Sequence, residues 1–169
     1  MNHKCDDKLT HIIVESHKSL YYHCSICGKR QGGYTVSWGY GERPSFFSGK
    51  ILVNPVNCVG VMGAGLAKKF KLMFPENYIF YRKNYRSLKP GNLLIYRGEK
   101  TIINFPTKSH WREKSKIEYI TAGLAELEKL ETDEFIFIPA LGCGLGGLSW
   151  DKVRPEILKL KKNLVVFGP

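Results

Sequence analysis

Two stretches of this chain combine residue types that can grip an anion: Val59-Gly60-Val61-Met62-Gly63-Ala64-Gly65 and Gly142-Cys143-Gly144-Leu145-Gly146-Gly147. Each follows a short apolar run and leads into a helix-patterned segment. Glycines remove the Cβ that would hold a ligand off, and backbone N–H groups at a helix N-terminus supply donors and a favourable dipole for phosphate. Two such loops on one sheet point to a diphosphate. Neither ends in the Lys-Ser/Thr of a triphosphate P-loop, and Gly63-Ala64-Gly65 is too short for a dinucleotide fingerprint. For either loop alone, ordinary turn chemistry is the competing explanation. Cys143 offers a thiol inside the second loop, but the sequence places no histidine partner for it. Cys58 reads as a small apolar thiol at a buried strand end.

A second constellation lies near the start, His23-Cys24-Ser25-Ile26-Cys27-Gly28-Lys29-Arg30, which looks like one knuckle of a zinc ribbon. One knuckle supplies two thiolates, so Cys5 together with His3, His11, His17 or His23 would have to complete a four-ligand structural site around Cys24 and Cys27. A small β-hairpin cap with free cysteines is the alternative. Lys18, Lys29 and Arg30 would let either module touch nucleic acid.

The elements that must position the loops can be read from periodicity. Residues 51–56 form an apolar, β-branched strand, and Leu66, Phe70, Met73 and Phe74 recur at helical spacing after it. Pro75-Glu76 suits the first turn of a second helix with Tyr78, Tyr81 and Tyr85. Residues 93–96 and 101–105 flank a turn-like tetrapeptide and read as a strand pair, so the sheet is not purely parallel. Ser115 to Glu118 fits a capping box, with Ile117, Ile120, Leu124 and Leu127 forming a stripe on the helix that follows. A strand at 135–139, a helix at 150–160 with Pro155 near its first turn, and a last strand at 164–167 complete an α/β layered pattern. Ahead of these, 12–15 and 20–24 pattern as a small hairpin. The division expected is an N-terminal extension, 1–33, and a main domain, 34–169.

The chain has 169 residues, 43% apolar, enough for one core and hardly two. It carries 26 Lys+Arg against 15 Asp+Glu, a formal charge of +11. Thirteen of the basic side chains and four of the acidic ones fall in residues 51–120, so the excess sits in one folded segment and makes a polyanionic partner plausible. No apolar run reaches the roughly 20 residues of a membrane span, and the polar start is unlike a signal peptide. Five cysteines at wide spacing are unlike a disulfide framework. A cytoplasmic protein with no membrane partner is the expectation.

Four segments taken together resemble a macrodomain: Leu52-Val53-Asn54-Pro55-Val56-Asn57, Gly60 to Ala67, Ile103-Asn104-Phe105-Pro106-Thr107-Lys108, and Gly142 to Leu148. His110-Trp111-Arg112 and Trp150 with Val153-Arg154-Pro155 add to the match, which is nearest to the DarG branch of the family and covers roughly residues 51–169. The resemblance implies a three-layer α/β/α fold with a mixed central sheet, preceded by a small β-rich or zinc-ribbon-like extension. It implies an ADP-ribosyl glycohydrolase that removes ADP-ribose from nucleic-acid bases, thymidine in single-stranded DNA, and so reverses a DarT-like toxin. No cofactor is implied for catalysis; zinc in the extension would be structural.

By the same resemblance, Asn54 and Asn57 face the distal ribose, Gly63, Ala64 and Gly65 hug it, Thr107 lies beside it, and Gly142, Cys143, Gly144, Leu145, Gly146 and Gly147 cradle the diphosphate. Lys108 matches the lysine to which catalysis is assigned. An amine with a lowered pKa can attack the anomeric carbon of an oxocarbenium-like state, or protonate or stabilise the departing base. His110, Trp111 and Arg112 would guide the strand. Two departures stand out. Protein-directed relatives carry an aspartate where this chain has Gly146, and the Gly-Asp-Leu/Ile motif that binds adenine reads Gly39-Tyr40-Gly41-Glu42 here. Glu42 would then be the acceptor, with Phe167 stacking on adenine or serving the core. A reader that holds ADP-ribose without cleaving it, and a phosphatase on ADP-ribose 1''-phosphate, are the alternatives.

Overall fold

A computed structural model describes the strand backbones of residues 10–15, 19–24 and 30–35 and the chain from residue 44 onward, with side chains from Phe46. In chain order the strands and helices are β1 (Thr10–Glu15), β2 (Ser19–Cys24), β3 (Arg30–Thr35), β4 (Ile51–Asn57), α1 (Gly65–Met73), α2 (Pro75–Asn84), β5 (Leu94–Arg97), β6 (Thr101–Lys108), α3 (Ile117–Glu128), β7 (Ile136–Pro139), α4 (Trp150–Leu158) and β8 (Leu164–Phe167). They form one sheet in the order β3-β2-β1-β8-β7-β4-β6-β5. Strands β6, β4, β7 and β8 are mutually parallel, while β5 returns antiparallel along β6. The sheet is mixed, as the strand pair around the 97–100 turn predicts. No described helix is long and apolar enough to cross a membrane.

The central strands are apolar on both faces, and alternation assigns each side chain to one of two cores. Ile51, Val53, Ile103, Phe105, Ile136, Ile138, Leu164 and Val166 pack against Ile120, Leu124 and Leu127 of α3 and Val153 and Ile157 of α4. The intervening Leu52, Ile102, Val165 and Phe167 meet Phe70 of α1 on the other side. Helices therefore cover both faces, giving the three layers. Each fully buried Leu, Ile or Phe contributes roughly 1.5–3 kcal/mol of transfer free energy, so the double-sided burial holds the strand register firmly.

Local signals set some boundaries and not others. Pro75 starts α2 at its first position, where a missing N–H costs nothing. Pro155 lies inside α4 rather than near its first turn. The expected capping box does not form: the N-cap of α3 is Lys116, with no side-chain cap, and the Ser115 hydroxyl is buried without a partner. Tertiary packing overrides the local motif, because the Ser115 N–H donates to the Gly146 carbonyl (3.0 Å) and draws the residue beneath the second glycine loop.

Helix α3 lies so close to β6 that a Cβ at Gly123 would fall 2.3 Å from Phe105 Cζ, a fully buried ring. Glycine at a helix interior normally costs about 1 kcal/mol relative to alanine, so here close packing outweighs propensity. Gly123→Val is expected to destabilise the fold by about 2 kcal/mol or more, read as a lower urea midpoint at unchanged slope.

Candidate functional site

Parallel strands end together, and their connecting loops gather at one edge of the sheet. Strand β4 ends at Asn57 and β6 at Lys108, and the two residues are register partners beyond a shift after Val56. Pro139 of β7 and Phe167 of β8 end on the same side. All four line a single cavity of about 1180 Å³, closed by the two glycine loops and by residues 111–114.

The first loop is held by Asn57. Its Oδ1 accepts from the N–H groups of Val59 (3.1 Å) and Val61 (3.2 Å), and its Nδ2 donates to the Val61 carbonyl (2.6 Å). The buried Tyr81 hydroxyl donates to the Asn57 carbonyl at 2.7 Å. Asn57 is thus at the wall but engaged in shaping it. Asn54, expected at the ribose, is not on the cavity: it is fully buried, its Nδ2 donating to Asn104 Oδ1 (3.0 Å), which in turn is bonded to Asn77 of α2. Asn54 lies three residues before the strand end, and its side chain is fully buried there rather than at the loop edge.

The second loop is defined by steric closeness. A Cβ at Gly146 would fall 2.3 Å from both the Gly142 carbonyl oxygen and Ser115 Oγ, so the aspartate of protein-directed relatives does not fit this backbone. Gly142 and Gly147 have positive φ, +71° and +77°, which glycine alone tolerates easily. Gly147 lies off the wall, its N–H donating to the Gly144 carbonyl. Gly144 differs from these. It lines the cavity, has ordinary φ, and nothing lies within 4 Å of where its Cβ would be. Neither backbone conformation nor packing demands glycine there, and Gly63 meets only Val61 at 3.5 Å. Both positions leave the space a close-lying ligand needs.

Lys108 projects from the end of β6 to the second loop, where its Nζ donates to the Leu145 carbonyl (3.0 Å). Desolvation, then the charge of Lys114, hold its pKa below the ordinary lysine value. Lys69, Arg112 and Lys114 also line the cavity, and Glu113 is the one acidic side chain among the described lining residues. Thr107, buried at the wall, lies beside Lys108. Trp111 is 47% exposed, with the Arg112 guanidinium 4.6 Å above its ring. His110 is off the wall, stacked on Trp111, with Nδ1 accepting from the Arg112 N–H.

Cys143 does not face the cavity. Its half-buried Sγ points to the Leu141 carbonyl, and burial pushes the thiol up to about 11, so it is no thiolate nucleophile at neutral pH. Cys58 is raised to about 11 for the same reason. Phe167 is 3% exposed, edge-on to Phe46 at 5.1 Å, and so is a core ring whose edge closes one end of the cavity. Beside it, Phe46 and the half-buried Phe47 form an aromatic wall. Sequence reading passed over Phe46, Phe47, Lys69 and Lys114; only the adjacent Phe46-Phe47 pair in an irregular segment hinted at a role. Glu42, Cys5 and Cys27 lie outside the described residues, as does the side chain of Cys24.

A family model for the Macro domain matches residues 53–157. The DNA ADP-ribosyl glycohydrolase of Mycobacterium tuberculosis (strain ATCC 25618 / H37Rv) is 41% identical over 136 residues, 70% of this chain and 38% of that protein. A DNA ADP-ribosyl transferase-DNA ADP-ribosyl glycohydrolase fusion protein of Thermosipho africanus (strain H17ap60334) is 36% identical over 151 residues, 74% of this chain and 39% of the fusion. The chain therefore spans about two fifths of the length of these curated relatives. The solved macrodomain of M. tuberculosis DarG superposes with a TM-score of 0.67 at 37% identity, covering 72% of this chain and 90% of that one. T. africanus DarTG in complex with ADP-ribose superposes with a TM-score of 0.67 at 33% identity, covering 73% and 39%. The family model across residues 53–157, the 41% identity over 70% of the chain and the superposition on a solved macrodomain make this chain a member of the Macro domain family.

Proposed function

We propose that this domain is an ADP-ribosyl glycohydrolase that releases ADP-ribose from a nucleic-acid base, thymidine in single-stranded DNA, and so opposes a DarT-like transferase. The observation that carries the reading is the Lys108 amine, partly desolvated and held at 3.0 Å from the second glycine loop, at the wall of a cavity sized for a dinucleotide-like ligand. Relatives named for this activity, one of them fused to the transferase, support it. A neighbour solved with ADP-ribose supports the ligand. The site belongs in the cytosol on this reading, where its half-buried thiols stay reduced.

In this mechanism the free amine of Lys108 attacks the anomeric carbon of the distal ribose as the bond to the base nitrogen breaks. The base leaves with the bonding pair, and the proton lost from Nζ neutralises it. Water then cleaves the lysyl–sugar bond, returning the amine and ADP-ribose, so no cofactor is required. Gly63 and Gly144 let the backbone approach the sugar and the diphosphate, and Trp111 with Arg112 engages the strand at the cavity mouth.

On ADP-ribosylated thymidine oligonucleotide, Lys108→Ala and Lys108→Arg are expected to lose at least ~10²-fold in turnover while still binding ADP-ribose, measured by chromatographic product release and calorimetry. Because both perturbations of Lys108 favour its neutral form, the wild-type rate should rise with pH and level off at a midpoint below the ordinary lysine pKa. A rate that falls as pH rises would mean that the ammonium is the active form. Wild-type protein that binds ADP-ribose yet never turns over would make this a reader.

Gly144→Val should weaken ADP-ribose binding by about tenfold or more and leave stability within about 0.5 kcal/mol, because its Cβ points into open cavity. Gly146→Ala should instead cost about 1–3 kcal/mol of stability, since its Cβ meets backbone. Thermal melts alongside titrations separate the two outcomes.

A further inference from the structure

Residues 68–89 carry seven basic side chains, Lys68, Lys69, Lys71, Arg82, Lys83, Arg86 and Lys89, against the single acid Glu76, and all but Lys69 lie off the cavity wall. All seven are exposed, and among the described residues none has a carboxylate within ion-pair distance. A solvated helical surface usually mixes both signs, so a segment this one-sided suits a polyanion.

Its position ties it to the site. Arg82 Nη1 donates to the Gly60 carbonyl at 3.1 Å, and a Cβ on Gly60 would meet Arg82 Nη1 and Tyr85 Cδ1, each at 2.8 Å. Gly60 is one residue from Val61, which lines the cavity. The guanidinium groups of Arg82 and Arg86 both lie over the Tyr85 ring, 5.5 Å from its centroid. On the other side of the same loop, the Cys58 N–H donates to the Ser109 carbonyl (3.0 Å), two residues from the Trp111–Arg112 pair. One aromatic–arginine cluster, Trp111–Arg112, therefore lies at the cavity wall, and the other, Arg82–Tyr85–Arg86, lies outside the cavity against the loop at 58–60.

We propose that the Arg82–Tyr85–Arg86 cluster is an accessory single-strand nucleic-acid site that holds nucleotides adjoining the modified base. This rests on the nucleic-acid reading of the cavity and adds the path of the strand: from Trp111 and Arg112, across the loop at 58–60, to the C-terminal end of α2 and the turn that follows it. Arginines neutralise phosphates, and guanidinium planes held over an aromatic ring themselves offer a stacking surface to bases without regard to sequence. A paired duplex hides its base faces, so the occupant is single-stranded.

The test compares wild type with Arg86→Glu and Lys83→Glu on two substrates: an ADP-ribosylated thymidine mononucleotide and an adduct within an oligonucleotide of about 16 nucleotides. Wild type should show a higher kcat/KM on the oligonucleotide. Each variant should lose about tenfold on it, with a shallower salt dependence, and keep mononucleotide turnover unchanged. Equal kinetics of wild type and variants on the oligonucleotide would overturn the accessory site and leave the glycohydrolase intact. Equal losses on both substrates would also overturn it, marking a distorted loop instead. If wild type turns over neither adduct, the glycohydrolase reading fails. Fluorescence anisotropy with unmodified oligonucleotide then still decides the surface: Arg86-dependent binding upholds it. Arg86-dependent binding to phosphatidylserine vesicles but not to oligonucleotide would overturn it in favour of a membrane.

Discussion

The parallel pairing of β4 with β6 is the constraint on which the site depends. It sets Asn57 opposite Lys108, so that the residue shaping the first glycine loop and the amine at the second are neighbours across one strand pair. The pairing cannot slide by one residue without exchanging Leu52 and Val53 between the two cores, and each is fully buried where it stands. Hydrophobic burial on both faces of the sheet thus specifies, at a distance, where a polar amine meets a backbone carbonyl.

Glycine serves two purposes at that edge, and the structure separates them. Gly60, Gly142 and Gly147 adopt positive φ, and Gly146 leaves no room for a Cβ against the Gly142 carbonyl. These residues fold the loops. Gly63 and Gly144 meet neither requirement, and both line the cavity with room beside them. The same closeness at Gly146 leaves no room for a side chain at that position, and Lys108 with Lys69, Arg112 and Lys114 outnumber Glu113 at the cavity wall. An environment that is partly desolvated and already positive disfavours one more ammonium, which is why the Lys108 amine is biased toward its neutral form.

Beneath the loops, Asn54, Asn104 and Asn77 form a buried amide chain from β4 through β6 to α2. Such a network allows few alternative arrangements, and it leaves one buried acceptor, Asn54 Oδ1, without a partner. It ties α2 to the strands, and α2 carries both Tyr81, which supports the first loop, and Arg82, which touches Gly60. The loop is therefore braced from below by amides and from the side by a phenol and a guanidinium.

Periodicity and turn chemistry were enough to place the strands and helices from Ile51 on, the antiparallel return at β5 and the two glycine loops, because those features depend on residue type and local spacing. The motif order was also enough to place the chain among macrodomains and to single out Lys108. Contacts between segments distant in the chain decided the rest. Ser115 is a cap by motif but lies under the second loop, since its N–H has a better partner 31 residues away. Asn54 and Asn57 carry the same amide three residues apart, yet opposite pleat positions send one to the core and leave the other at the wall. The place of Phe46 and Phe47 at the cavity wall and the charge of Lys114 beside Lys108 exist only once strands and helices are packed, whereas the aromatic–arginine clusters join neighbours in the chain. Distance in space, which no local pattern encodes, governs desolvation, charge coupling and steric exclusion.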